Sequence, residues 1–202
     1  MLFRDAYSKK KGAQASRLLA QAQSLLQPPS LDAEAGKAGG EAGGEASQAA
    51  DKALELLQDL VQDYKRTKAS GMGRILLGQL YYEKGDYDAA ILAYDAFLKR
   101  KDDRAELTAM AWEGLAYSHE AKQDYAQAAI CYEKLSQMPL AQIQAWAYMG
   151  KARCYERLGE HEKALEAYRA LLADQPQHPA APEARASIAS IGPSLEEAGA
   201  SR

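Results

Sequence analysis

Leu77 to Leu98 reads LGQLYYEKGDYDAAILAYDAFL, and the same pattern returns twice. Leu115 to Ser136 reads LAYSHEAKQDYAQAAICYEKLS, and Lys151 to Leu172 reads KARCYERLGEHEKALEAYRALL. The copies are offset by 38 and then 36 residues. A fixed period of this order marks a stacked helical solenoid. One such unit cannot bury its apolar face alone, so its neighbours complete the core.

The physical reading of the copies is consistent. Ala90, Ala128 and Ala164 are small where a second helix crosses at about 8–10 Å. Tyr94, Tyr132 and Tyr168 follow one turn later on the same face. Lys84-Gly85-Asp86, Lys122-Gln123-Asp124 and Leu158-Gly159-Glu160 separate the paired helices. Gly85 and Gly159 suit the left-handed position that ends a helix. Asp86 and Asp124 suit the cap of the next one.

These residues resemble the tetratricopeptide repeat, a helix–turn–helix of about 34 residues. The first copy supplies Leu77, Gly78, Tyr81, Ala90 and Tyr94. The second supplies Trp112, Leu115, Ala116, Ala128 and Tyr132, with His119 where Tyr is usual. The third supplies Tyr148, Ala152, Tyr155, Ala164, Tyr168 and Pro176, with Lys151 where Leu is usual. The resemblance implies an all-α, right-handed superhelical solenoid of antiparallel helix pairs.

Work outward from the clear copies gives about four repeats and a C-terminal capping helix. The expected units are 71–102, 104–139 and 141–176, within a single domain over 1–192. Ala6–Gln27 and Ala49–Lys65 both carry apolar stripes at helical spacing. They are read as a degenerate first repeat over 6–65. Between them, 28–48 is Gly-, Ala- and Glu-rich with nothing large to bury, and is expected to be a flexible insertion. Pro179 and Pro182 open a last helix over 179–191, whose Ala184, Ile188 and Ile191 are spaced to cover the final repeat. Gly192-Pro193 is expected to end it and leave 193–202 as a frayed tail.

Composition bounds the function. The 202 residues include 25 basic and 28 acidic ones, a formal charge of −3, which argues against a nucleic-acid footprint. No stretch is long and apolar enough to predict a signal peptide or membrane insertion. Three scattered histidines predict no metal site, and no phosphate-binding glycine loop or nucleophile elbow is present. No cofactor and no catalysis are expected. Cys131 and Cys154 fall on facing helices of adjacent repeats, either as a disulfide or as two small core hydrophobes.

Surface is what remains. In the family the first helix of each repeat lines a concave groove that holds peptides or helices. The resemblance places Met72, Ile75, Gln79, Tyr82 and Glu83 there from the first copy. It adds Met110, Glu113, Tyr117 and Glu120 from the second, and Trp146, Met149, Arg153, Glu156 and Arg157 from the third. Aromatics and Met are the residues that interface hot spots use. The competing reading makes Met72, Met110, Trp146 and Met149 ordinary core. Ile75, Gln79, Glu113 and Tyr117 stand where carboxylate-clamping repeat domains use Lys and Asn, so a carboxylate terminus is a poor ligand.

Tyr64-x-x-Thr67-x-Ala69, Leu77-Gly78-x-Leu80-Tyr81-Tyr82 and Gly85-Asp86-Tyr87 further resemble bacterial envelope repeat proteins. That group includes the ancillary subunit of the Sec translocon and the Tol-associated cell-division coordinator. The resemblance implies a periplasmic domain on an anchor this chain lacks as written, with the cytoplasm as the alternative. The expected function is a noncatalytic scaffold that binds a protein or peptide partner in its groove, in envelope assembly or protein export. The alternative is a self-associating, homo-oligomeric module.

Overall fold

The computed structural model describes residues 2–27, 42–100 and 104–200. Nine helices and no strand occur among the described residues: α1 (Leu2–Leu26), α2 (Ala42–Asp63), α3 (Lys68–Glu83), α4 (Tyr87–Leu98), α5 (Ala105–Ala121), α6 (Tyr125–Ser136), α7 (Ala141–Arg157), α8 (His161–Asp174) and α9 (Ala181–Ala200). Their packing divides the chain into two compact units, Met1–Asp102 and Asp103–Arg202. Within each unit every helix packs on the next in sequence, the arrangement of a helical solenoid.

The turns inside the repeats show why the pairs form. In all three, the backbone N–H three residues past the helix reaches back five positions. Asp86 donates to Tyr81, Asp124 to His119 and Glu160 to Tyr155, at 2.9, 2.8 and 2.9 Å. This closure needs a left-handed residue between. Gly85 and Gly159 supply it with φ of +78° and +73°. Gln123 fills the same place with φ of 61°, a conformation that costs an L-residue with a side chain about 1–2 kcal/mol. Asp86 and Asp124 then accept from the N–H groups of Ala89 and Gln127 at 3.1 and 3.3 Å, capping α4 and α6 as the sequence predicts. Relief of that strain makes Gln123→Gly a stabilising change of about 0.5–1 kcal/mol, after the entropy glycine adds to the unfolded chain. Urea melts of the two proteins with equal m-values would measure it.

In the first unit, Ala15 and Ala22 of α1, Ala53, Leu57 and Leu60 of α2, and Ala69, Leu77 and Leu80 of α3 form one buried cluster. α1 and α2 therefore pack against each other in this cluster. In the second unit, Met149 and Ala152 of α7 pack with Tyr168 and Leu171 of α8 and with Ala181 and Ala184 of α9, while Ile188 and Ile191 cover them from outside. α9 thus caps the last repeat. Ala90, Ala128 and Ala164 are fully buried, and Tyr94, Tyr132 and Tyr168 nearly so.

Two boundaries differ from expectation. α2 begins at Ala42, so 42–48 is helical and not insertion; Glu45 in its first turn complements the helix dipole, and the Ala-rich run favours the helix despite two glycines. The rest of the expected insertion, 28–41, lies outside the described residues. α9 continues through Gly192 and Pro193 to Ala200, where a stop and a frayed tail are expected. A proline removes one intrahelical donor, and the helix formers in Leu195–Ala200 carry the backbone past it. Residues 201–202 of that tail lie outside the described residues.

The two departures from the family pattern are accommodated locally. The Lys151 ammonium pairs with the Glu133 carboxylate on α6. That hydrogen bond holds Glu133 below the usual carboxylate range. His119 Nδ1 stands 3.4 Å from the Asp124 carboxylate at the start of α6.

Candidate protein-binding surface

The first helices of the second unit's repeats, α5 and α7, carry nine of the expected groove residues. Met110, Glu113, Tyr117 and Glu120 recur at helical spacing on α5 and are all half-buried. Trp146, Arg153 and Glu156 of α7 are half-buried as well, and Arg157 is exposed. Tyr117 and Trp146 meet edge to face, with centroids 5.3 Å apart and planes at 68°. Trp146 makes a second such contact, 5.3 Å and 69°, with Tyr132 of α6 below it. Edge-to-face geometry places the positive ring edge on a negative ring face. Trp146 is thereby fixed between two tyrosines while keeping part of its surface open.

Polar groups brace this cluster from beneath. The buried Tyr132 hydroxyl donates to Glu120 Oε2 at 3.0 Å, and the Cys154 thiol points at Glu120 Oε1 at 3.4 Å. One turn of the solenoid later the pattern repeats, with Tyr168 donating to Glu156 Oε1 at 3.0 Å. Burial, followed by the Glu120 charge, pushes the Tyr132 hydroxyl and the Cys154 thiol well above their ordinary values. Cys154 is therefore held as a thiol; it and Cys131 are both buried and form no disulfide. At the far end Arg157 lies over the Tyr125 ring, 5.9 Å from its centroid.

Glu113 differs from Glu120 and Glu156. It forms no hydrogen bond or ion pair with the described residues, and burial alone raises its carboxyl above the usual range. A folded-state value above the unfolded one contributes stability present below the unfolded value and lost as pH rises through the folded value. At neutral pH the wild-type chain thus carries a desolvation cost. Glu113→Gln should remove it, stabilising the protein at pH 7 by roughly a few tenths of a kcal/mol, because water still screens the half-exposed carboxyl. The gain should shrink as the pH falls towards 4, which paired thermal melts at the two pH values would read.

In the first unit, α3 presents Met72, Gln79 and Tyr82 half-buried and Glu83 exposed. The Tyr82 ring lies 5.4 Å from that of Tyr87 at 55°. Two expected groove residues are corrected. Ile75 is fully buried and Met149 is 3% exposed. Ile75 lies four residues after Gly71 and three before Gly78, both buried, and Met149 sits in the same way between Ala145 and Ala152. That phase points them into the core, so neither is open to a ligand. Sequence reasoning also passed over Tyr132 and Tyr125, the first read as packing alone. The offset of four from Ala128 was visible, but its contact with Trp146 comes from a different helix.

No group of three or more His, Cys, Asp or Glu suited to a metal ion occurs among the described residues. None of the described helices is long and apolar enough to cross a membrane. No curated protein matches the chain. Two tetratricopeptide repeat family models do, one over residues 75–137 and the other over residues 143–188, together more than half of its length. With the repeated turns, buried alanines and paired helices already described, this places the chain in the tetratricopeptide repeat family.

Proposed function

We propose that this protein is a noncatalytic scaffold that holds a peptide or helix of a partner protein along the first-helix face of its repeats, with α5 and α7 as the principal seat. Membership of the repeat family supports a protein–protein interaction scaffold in general. The observation that carries the finer reading is the Tyr117–Trp146 pair, braced by Tyr132 yet still partly open. Rigid, half-exposed aromatics offer large burial at low entropic cost, which is what interface hot spots use. Envelope assembly or export is the setting favoured by the resemblance over Tyr64–Tyr87.

The test is affinity capture from lysate and envelope fractions of the source organism. Wild type is compared with a Tyr117→Ala, Trp146→Ala variant whose helicity is confirmed by circular dichroism. A partner held by the first and released by the second supports the reading. Equal capture removes it.

A second reading, self-association, has one observation behind it. Leu92 is 70% exposed and Ile130 49% exposed. They occupy the same repeat position on the second helices α4 and α6, 38 residues apart. Sedimentation of wild type against Leu92→Glu and Ile130→Glu decides it: a concentration-dependent oligomer lost in the variants supports it, and a monomer throughout ends it.

A further inference from the structure

We propose that Glu113, together with Tyr117 and Trp146, is a seat for one cationic side chain, an arginine or lysine, of the partner segment. The inference rests on the reading of the α5–α7 face as the binding surface, and it adds the chemistry of what is bound.

The argument starts from what occupies the other charges of this face. Glu120 accepts from Tyr132 and Cys154, and Glu156 accepts from Tyr168. Among the cations of α7, Lys151 pairs with Glu133, and Arg157 lies over Tyr125. The Arg153 charge opposes, without overcoming, the upward shifts of the Tyr132 and Tyr168 hydroxyls that burial causes. Among the half-buried carboxylates of α5 and α7, Glu113 is the one that none of them reaches. It is half-buried, and it stands one helical turn before Tyr117 on the same face of α5. Tyr117 in turn touches Trp146.

A desolvated carboxylate without a partner is unfavourable unless something else compensates it. One turn from a partly open tyrosine ring that itself touches Trp146, the group that fits is a cation. Its charge meets the carboxylate, and its flat or methylene surface lies against the rings. A guanidinium suits the site best, since it can bond a carboxylate through two N–H groups and stack at the same time. An anionic or neutral side chain would leave the half-buried Glu113 uncompensated. The sign of the preferred ligand is thus opposite to that of a carboxylate-clamping groove.

The test uses the full chain labelled with ¹⁵N and reads the indole N–H resonances, with the Trp146 signal assigned by Trp112→Phe. N-acetyl-argininamide and its uncharged isostere N-acetyl-citrullinamide are titrated in turn. The expected result is a saturable Trp146 shift with the arginine probe, at least about tenfold weaker with the citrulline probe. In Glu113→Gln the arginine preference should vanish while the spectrum otherwise stays that of the folded wild type. No shift with the arginine probe, equal shifts with both probes, or a preference that survives Glu113→Gln would each overturn the proposal. Failure here, with partner capture still dependent on Tyr117 and Trp146, would leave the docking face standing and remove its cation seat. An arginine-specific shift with capture unaffected by Tyr117 and Trp146 would support the seat and remove the face as the docking surface.

Discussion

Tyr132→Ala should lower the unfolding free energy by about 3–5 kcal/mol, the range for truncating a fully buried aromatic residue. Tyr132 has no exposed surface. Its ring sits under Trp146 at 5.3 Å and in line with the backbone of Gly150, so three helices, α6, α7 and, through Glu120, α5, meet on one side chain. Truncation leaves a cavity that no neighbouring side chain can fill without breaking one of those contacts. It also leaves Glu120 without its hydroxyl donor, inside the unit. Tyr132→Phe separates the two effects. It keeps the ring and should cost only the hydrogen bond to a charged acceptor, about 1.5–3 kcal/mol at most. Urea denaturation with a free fit of the m-value is the measurement, because an altered m-value would mean that one repeat had detached from the cooperative unit. If Tyr132→Ala costs less than Tyr132→Phe, the ring is not the keystone described here.

That a tyrosine should recur at this place was legible in the sequence, and its weight was not. The spacing from Ala128 to Tyr132 is set within one helix, and helical periodicity reads it directly. The same local logic gave Gly85, Gly159, Asp86 and Asp124 their turn and cap roles, because a turn is a matter of consecutive residues. The groove is different. Whether Met149 faces a ligand or the core depends on the rotation of α7 against α8 and α9, and a phase error of one residue turns a side chain by about 100°. Tyr117 and Trp146 keep part of their surface open, while Ile75 and Met149 are buried, although all four fit the same loose stripe. The unpartnered state of Glu113 was invisible for a similar reason. It is a property of what Arg157 and Lys151 do instead, and both are committed by contacts with α6. The boundaries missed at Ala42 and beyond Pro193 have another origin. Glycine and proline are strong local signals for a break, and at both places the helix formers around them outweigh the signal.

Gly150→Ala should destabilise the protein by about 1–3 kcal/mol even though alanine is the better helix former by about 1 kcal/mol. A Cβ at this position would stand 2.5 Å from both Cε1 and Cζ of Tyr132. Real contacts of that kind lie a full ångström further out, so something must move. The ring cannot turn aside cheaply, since its hydroxyl is bonded to Glu120 and its other side to Trp146. The relief must come from α7 itself, which would be pushed away from α6. Because α6 ends one repeat and α7 begins the next, the glycine fixes how closely two repeats approach. Gly78 meets Tyr94 in the same way, with a Cβ 2.5 Å from Cζ, but between the two helices of a single repeat. Gly12 of α1 gives the control, having nothing within 4 Å of an added Cβ. Gly12→Ala should therefore gain stability from helix propensity alone, by about 0.5–1 kcal/mol. A double-mutant cycle of Gly150→Ala with Tyr132→Leu then tests the cause. Shrinking the ring opens the space that the new methyl needs, so the two costs should fall short of additivity by at least about 1 kcal/mol. Simple additivity would place the damage of Gly150→Ala in the helix backbone and not in the contact between repeats. The same displacement of α7 would carry Trp146 away from Tyr117, so Gly150→Ala should also weaken partner capture without touching a residue of the binding face.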